Sequence, residues 1–253
     1  MNEINDYTKY MVPFYAPASF KVKKALGSLV WDKNNKKYID FTAGIAVTNL
    51  GHSNKTLSSI IADQSKKVIH LSNLYINEPS INLAKKLCKK TFAEKVFFCN
   101  SGAEAVEASI KTARKFYSKE KSKNEIISFS GSFHGRTMMA IALSNNKSLT
   151  DGFAPLPKGV KNHKFNEIKN LEKKFSKNTC AVILELVQWQ SGIISAENKF
   201  VKTIIKLCKK YKALLIIDEV QSGIGRTGSL FAYEKYKIKP DILCFAKGLA
   251  NGL

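Results

Sequence analysis

A short run of branched apolar residues, Leu214 to Ile217, reads as a strand buried on both faces. Two acids, Asp218 and Glu219, end it before a glycine-rich loop, Gln221–Gly228. A carboxylate buried at such a strand end is costly unless a partner keeps it charged. Lys247 ends a second apolar run, Ile242–Phe245, and Gly248 follows it. A lysine so placed is a candidate nucleophile, because partial burial favours the neutral amine that attacks carbonyl carbon. Upstream, Asn100-Ser101-Gly102-Ala103 stands between a strand and a helix. Free N–H groups and the helix dipole there suit an anion, and Gly102 permits close approach; the same residues also read as a plain N-cap. Phe133, His134 and Arg136 follow another strand. They offer an aromatic face, an imidazole that a turn alone can satisfy, and a planar fork for a carboxylate. Glu185 and Gln188 close the set.

The elements that must position these residues alternate along the chain. Apolar spacing predicts helices over Thr56–His70, Pro79–Lys90, Ala103–Ser118, Glu167–Lys177 and Lys199–Lys210. It predicts strands over Val96–Cys99, Glu125–Phe129, Ala181–Leu186, Leu214–Ile217 and Ile242–Phe245. Near the N-terminus, Leu29–Trp31 and Lys37–Phe41 flank a turn and read as a hairpin, and Ala43–Gly51 reads as a small-residue loop. Strands alternating with helices imply an α/β fold, a mostly parallel sheet with helices on both faces. In such sheets ligands sit beyond the carboxyl ends of the strands, where every candidate residue falls.

Composition excludes some functions. The formal net charge is +21, but it comes from 38 Lys against 3 Arg, scattered over predicted helix faces. Arg, suited to bidentate phosphate and base contacts, is nearly absent, so a solvated surface is favoured over specific nucleic-acid binding. No apolar run approaches the roughly 18 residues of a membrane span, and no secretory signal is visible, so the cytoplasm is the expected compartment. Five widely spaced cysteines, several in apolar patterns, suit free thiols and neither a disulfide frame nor a metal site.

Five stretches in order carry a family resemblance: SNLYINEP, KVFFCNSGAEA, GSFHGRT, DEVQSGIGRTG and the AKG of Ala246–Gly248. From about Gly27 onward the chain resembles the class III (ornithine/acetylornithine-type) aminotransferases, which use pyridoxal 5'-phosphate (PLP) on a type I transferase fold. The resemblance implies that Ser101, Gly102 and Ala103 hold the phosphate and that Phe133 stacks on the pyridine ring. It implies that Asp218 pairs with the protonated ring nitrogen, Gln221 bonds the ring's 3-oxygen and Glu185 supports the site. Arg136 would bind the substrate carboxylate, and Lys247 would form the Schiff base and carry the proton. By the same resemblance residues 1–50 contribute to a small domain, residues 51–253 form part of the large PLP-binding domain, and the site is built across a homodimer. The chain is expected to be C-terminally truncated, lacking a further domain.

The activity so implied is transfer of the terminal amino group of N2-acetylornithine to 2-oxoglutarate, as in arginine biosynthesis. SNLYINEP, FTAGIAVTNLGH and Ile45 favour the acyl-ornithine branch. Another ω-aminotransferase (succinylornithine, ornithine, 4-aminobutyrate) and a non-catalytic remnant of the fold are the alternatives. Where the family reads E-P-[VI]-Q-G-E-G-G, this chain has Glu185-Leu-Val-Gln-Trp-Gln-Ser-Gly192. Trp189 thus replaces a glycine and Gln190 a glutamate, changes expected to reshape the substrate pocket.

Overall fold

The structure is a computed structural model describing residues 3–120 and 122–253. The chain divides into two compact units, Met1–Leu74 and Tyr75–Leu253. The first contains helix α1 (Glu3–Tyr10), strands β1 (Val22–Leu26), β2 (Leu29–Asp32) and β3 (Lys37–Ile39), and helix α2 (Lys55–Ser65). The three strands form an antiparallel sheet in sequence order, one strand more than the predicted hairpin. The Asp32 carboxylate closes the β2–β3 turn, accepting the Asn34 and Lys36 N–H groups at 2.9 and 2.8 Å. The predicted small-residue loop opens with four left-handed residues, Ala43 to Ala46, with φ between 47° and 64°. Helix α2 stops five residues short of the prediction and buries none of its residues. Without packing, propensity alone does not carry a helix further.

The second unit is built on a five-stranded parallel sheet. Its helices are α3 (Glu78–Lys90), α4 (Gly102–Phe116), α5 (Met138–Ser144), α6 (Lys147–Thr150) and α7 (Asn198–Tyr211). The strands β4 (Glu125–Phe129), β5 (Val160–His163), β6 (Thr179–Leu184), β9 (Leu214–Asp218) and β10 (Ile242–Cys244) lie in the order β10-β9-β6-β4-β5. Two short strands, β7 (Val187–Gln188) and β8 (Ile194–Ser195), form a separate hairpin. Successive strand residues point to opposite faces. Ile127, Val182, Leu184, Leu215 and Ile217 pack on α7 through Phe200, Val201, Ile204 and Leu207. Ile126, Ala181, Ile183 and Ile216 pack on the other face, against Val106 and Ile110 of α4 and Met139 and Leu143 of α5. All six residues of β6 are buried, so this strand reads as unbroken apolar sequence with no alternation.

Two predicted elements are absent. Val96–Cys99 takes no regular secondary structure and pairs with no strand among the described residues. The predicted helix Glu167–Lys177 is only a 3-10 turn, Glu172–Lys174. Leu171 and Phe175 are buried at helical spacing, but Asn166 and Asn170 adopt φ of 59° and 61° and break the helix before it starts. The free thiols of Cys180, Cys208 and Cys244 are buried, as their apolar settings implied, while Cys99 is exposed.

Candidate functional site

Because the sheet is parallel, the chain leaves β4, β6, β9 and β10 at one edge. Phe133–Arg136, Glu185, Asp218 and Lys247 lie just past those four exits. The N-terminus of α4 meets the same edge. A Cβ on Gly102 would stand 2.7 Å from Val220 Cγ1 and 3.5 Å from Ala246 Cβ, and one on Gly135 would stand 2.9 Å from Ala103 Cβ. Ser101, Gly102 and Ala103 are therefore held against the loops after β4, β9 and β10. Only residues without bulk fit these approaches.

Ser101 is the N-cap of α4, its Oγ accepting the Glu104 N–H at 3.1 Å. The Glu104 carboxylate reaches back to the Asn100 N–H at 2.5 Å. The N–H groups of Gly102 and Ala103 find no acceptor among the described residues, leaving two donors at the positive end of a 15-residue helix. The N-cap reading is observed, and the cap leaves those two donors free.

Asp218 is buried, and both of its oxygens are engaged. Oδ2 lies 2.7 Å from His134 Nδ1, and Oδ1 accepts the Val220 N–H at 3.0 Å. The pairing of His134 with Asp218 is what sequence reasoning missed. A histidine in a glycine turn carries no signal of a partner 84 residues away; only the strand order brings it there. Its Nε2 is buried with no hydrogen-bond partner among the described residues. Glu185 is also buried and accepts the Phe133 N–H at 3.0 Å, which ties the aromatic loop to the end of β6. Burial, with the nearby Asp218 charge, pushes the Glu185 carboxyl well above the usual carboxylate range; the Phe133 N–H and Lys247 oppose this.

Lys247 is half-buried and sits at φ 45°, a left-handed conformation that costs a non-glycine residue energy and that clusters at functional positions. Burial holds its amine below the ordinary lysine range, with a further push from Arg226; Asp218 and Glu185 pull the other way. Its Nζ lies 5.2 Å from the centre of the Trp189 ring, which meets the Phe133 ring edge-on at 5.5 Å. The Arg136 guanidinium is 5.9 Å from the far ring of that pair, Phe133, and is exposed. Trp189, predicted to reshape the pocket, stands beside the lysine, while Gln190 is exposed to solvent. Gln221 is half-buried in the loop after β9 and makes no side-chain hydrogen bond among the described residues.

Glu219, adjacent to Asp218, faces away from this group. Fully buried, it accepts the Ala232 and Tyr233 N–H groups at 2.6 and 2.7 Å and pins the loop that follows β9. Of the two acids that end the strand, one is aimed at the site and the other holds its frame. The loop after β4 is fixed as well: Gln188 Nε2 donates to Ser130 O at 3.1 Å, and Ser191 Oγ to Gly131 O at 2.7 Å.

A carboxylate–imidazole pair, a lysine with a lowered amine pKa, an aromatic face and a helix N-terminus with two free donors thus share one edge of the sheet. Residues 10–253 match the family Aminotransferase class-III. The chain belongs to that family. It is 48% identical over 250 residues to an acetylornithine/succinyldiaminopimelate aminotransferase of Buchnera aphidicola subsp. Schizaphis graminum, covering 98% of this chain and 62% of that one. It is 46% identical to a succinylornithine transaminase of Photorhabdus laumondii, covering 97% and 62%. Among solved structures, the N-acetylornithine aminotransferase from Stenotrophomonas maltophilia K279a superposes with a TM-score of 0.83 at 35% identity, covering 99% of this chain and 62% of that one. The ornithine aminotransferase from Toxoplasma gondii gives 0.94 at 27% identity, with 99% and 60% covered. This class III chain spans about 62% of the length of the relatives it matches. The transferase fold expected from the motifs is the one observed, with a parallel sheet layered between helices.

Proposed function

We propose that the chain carries the PLP-binding part of an aminotransferase that moves the terminal amino group of N2-acetylornithine to 2-oxoglutarate. The observation that carries this reading is the convergence of Lys247, with its lowered amine pKa, and the buried Asp218–His134 pair at one sheet edge. The residues present fit PLP on several counts. The N-terminus of α4 offers unpaired N–H groups and a close glycine approach for its phosphate. Asp218 is a pinned carboxylate suited to a ring nitrogen, and Phe133 supplies an aromatic face. When bound, PLP supplies an electron-withdrawing ring that holds the electron pair released as a C–H proton leaves the donor.

Lys247 would be the attachment point and the base: burial lowers its amine pKa, which favours neutral Nζ, so the amine could take that proton and return it. Asp218 would face the ring nitrogen of bound PLP, and His134 and the Val220 N–H fix the direction of its oxygens. Glu185, pushed toward its neutral form, holds the Phe133 backbone in place. Gln221 has a free amide for the ring's oxygen, and Arg136 binds a substrate carboxylate at the exposed side. Trp189 narrows the space beside the amine. We further infer a homodimer, supported by exposed apolar side chains such as Ile69, Leu74 and Ile76, and a cytoplasmic location. Among the described residues no helix is long and apolar enough to cross a membrane. The domain assignment, with residues 1–50 in the small domain and 51–253 in the large one, is part of this proposal.

The succinylornithine reading stands beside the acetylornithine one, because relatives bearing the two names are 46% and 48% identical to this chain. An absorbance titration with PLP tests the cofactor, with Lys247→Ala alongside. A long-wavelength band present in the parent and missing in the variant is expected; its absence from a folded parent sinks the proposal. Bleaching of that band by N2-acetylornithine or N2-succinylornithine, and its return with 2-oxoglutarate, decides between donors.

A further inference from the structure

Trp189 stands at the turn between β7 and β8, where the family's motif carries glycine. The turn is tight: the Gly192 and Ile193 N–H groups both donate to Trp189 O, at 3.1 and 3.3 Å. Its flanks are tied to the loop after β4, Gln188 to Ser130 O and Ser191 to Gly131 O. The half-buried indole is thus placed by its neighbours on both sides. It meets the Phe133 ring at 69° and 5.5 Å, and Lys247 Nζ lies over it, 5.2 Å from the ring centre. Among the described residues no side chain hydrogen-bonds Nζ. Asp218 at the end of β9, Glu185 past the end of β6 and Arg226 in the loop after β9 act on it by charge alone. The indole is therefore the group against which the free amine rests. An aromatic face within about 6 Å attracts an ammonium through the ring quadrupole, an attraction that a neutral amine lacks.

We propose that Trp189 is a positioning residue whose indole face holds the unattached Lys247 amine, as the ammonium, beside the Phe133 ring until it reacts. The inference rests on the reading of Lys247 as the reactive amine. Burial and Arg226 favour the neutral amine, while Asp218, Glu185 and the indole favour the ammonium. The two acids and the arginine stand within the family's motifs and the indole does not, so this balance is particular to the chain. An ammonium over an indole face is favoured roughly 2–5-fold, which holds the amine without locking it. The two anchors of the turn keep the ring still, so the amine is presented from one direction.

The test needs no PLP. The full chain is treated with formaldehyde and cyanoborohydride over a range of pH, and alkylation of Lys247 is read by peptide mass spectrometry, with the exposed Lys206 as reference. Trp189→Leu keeps apolar bulk beside Nζ and removes the ring; Trp189→Phe keeps a ring. The leucine variant is expected to move the Lys247 profile to lower pH by roughly half a unit, and the phenylalanine variant to restore most of that shift. A second readout leaves Trp189 in place. In Trp31→Phe it is the one remaining tryptophan, and its emission should titrate at the midpoint of Lys247 alkylation. That titration should vanish in the Trp31→Phe, Lys247→Met double variant. An unmoved profile in Trp189→Leu, equal shifts in the leucine and phenylalanine variants, or an emission titration that survives Lys247→Met overturns this inference and leaves Lys247 as the reactive amine. Alkylation of Lys247 that merely keeps step with Lys206 in the parent counts against the functional reading and removes this inference with it.

Discussion

The sharpest consequences attach to two buried acids. Asp218 Oδ2 has one side-chain partner, His134 Nδ1, and both side chains are buried. Replacing His134 with Leu leaves a buried carboxylate oxygen without its side-chain hydrogen-bond partner, a loss of about 1–3 kcal/mol. The double variant with Asp218→Asn should recover much of that loss. Urea unfolding of the four-member cycle reads the coupling, and additive single effects would show that the pair does not act as a unit. Glu219 gives a pH signature. Burial pushes its carboxyl up to about 7 from 4.5, against the pull of the Ala232 and Tyr233 N–H groups. Its folded pKa is raised above the unfolded value, so its contribution is complete below pH 4.5 and lost as pH rises through 7. The loss is on the order of 3 kcal/mol. Glu219→Gln mimics the protonated form and should flatten this part of the stability profile; identical slopes in parent and variant would refute it. At Lys247 the push from Arg226 lowers the amine pKa, so Arg226→Gln should move the pH dependence of aldehyde trapping at Lys247 upward.

The same logic extends to whole elements, where α4 is the clearest case. Ser101→Ala removes the oxygen that accepts the Glu104 N–H and should cost about 1 kcal/mol, the usual loss at an N-cap. Gly102→Ala sets a Cβ 2.7 Å from Val220 Cγ1, so Val220 must give way in the loop that follows Asp218. If the helix end is an anion cradle, Gly102→Ala weakens PLP binding more than Ser101→Ala does relative to its effect on stability; equal ratios would mean that both act through the helix alone. The strands of the sheet were legible as apolar runs, and Ser101, Asp218 and Lys247 were legible because each stands where such a run stops. Strand order was not legible, and with it went His134, whose meaning depends on β4 and β9 lying in one sheet. Val96–Cys99 shows the opposite error. Its residues favour a strand, but a strand is a pairing, and a single chain segment cannot supply its own partner. Met138–Ser144 was missed because six of its seven residues are buried, leaving no polar face to set a period.

At the scale of the molecule, every candidate residue lies in the Tyr75–Leu253 unit, so cofactor binding should stabilise that unit. The sequence holds two tryptophans, one for each unit: Trp31 in β2 and Trp189 beside Lys247. A chain of two units need not unfold in one step, and the two indoles can be read separately in Trp31→Phe and Trp189→Phe variants. At PLP equal to 100 times its dissociation constant, a ligand bound only by the folded form adds about 2.7 kcal/mol. For a unit of this size that raises the midpoint by roughly 5–10 °C, at about 2–4 °C per kcal/mol. The fluorescence transition of Trp189, read in Trp31→Phe, should therefore shift upward with PLP, and Lys247→Ala should reduce the shift by removing the point of attachment. The transition of Trp31, read in Trp189→Phe, should follow only if the two units melt together. Trp189 also reports at equilibrium, since its ring lies 5.2 Å from Nζ, close enough for bound PLP to quench it. Quenching of Trp189 without a thermal shift would mean that PLP has reacted with an exposed lysine nearby instead of entering the site, and would count against the Asp218–Lys247 assignment.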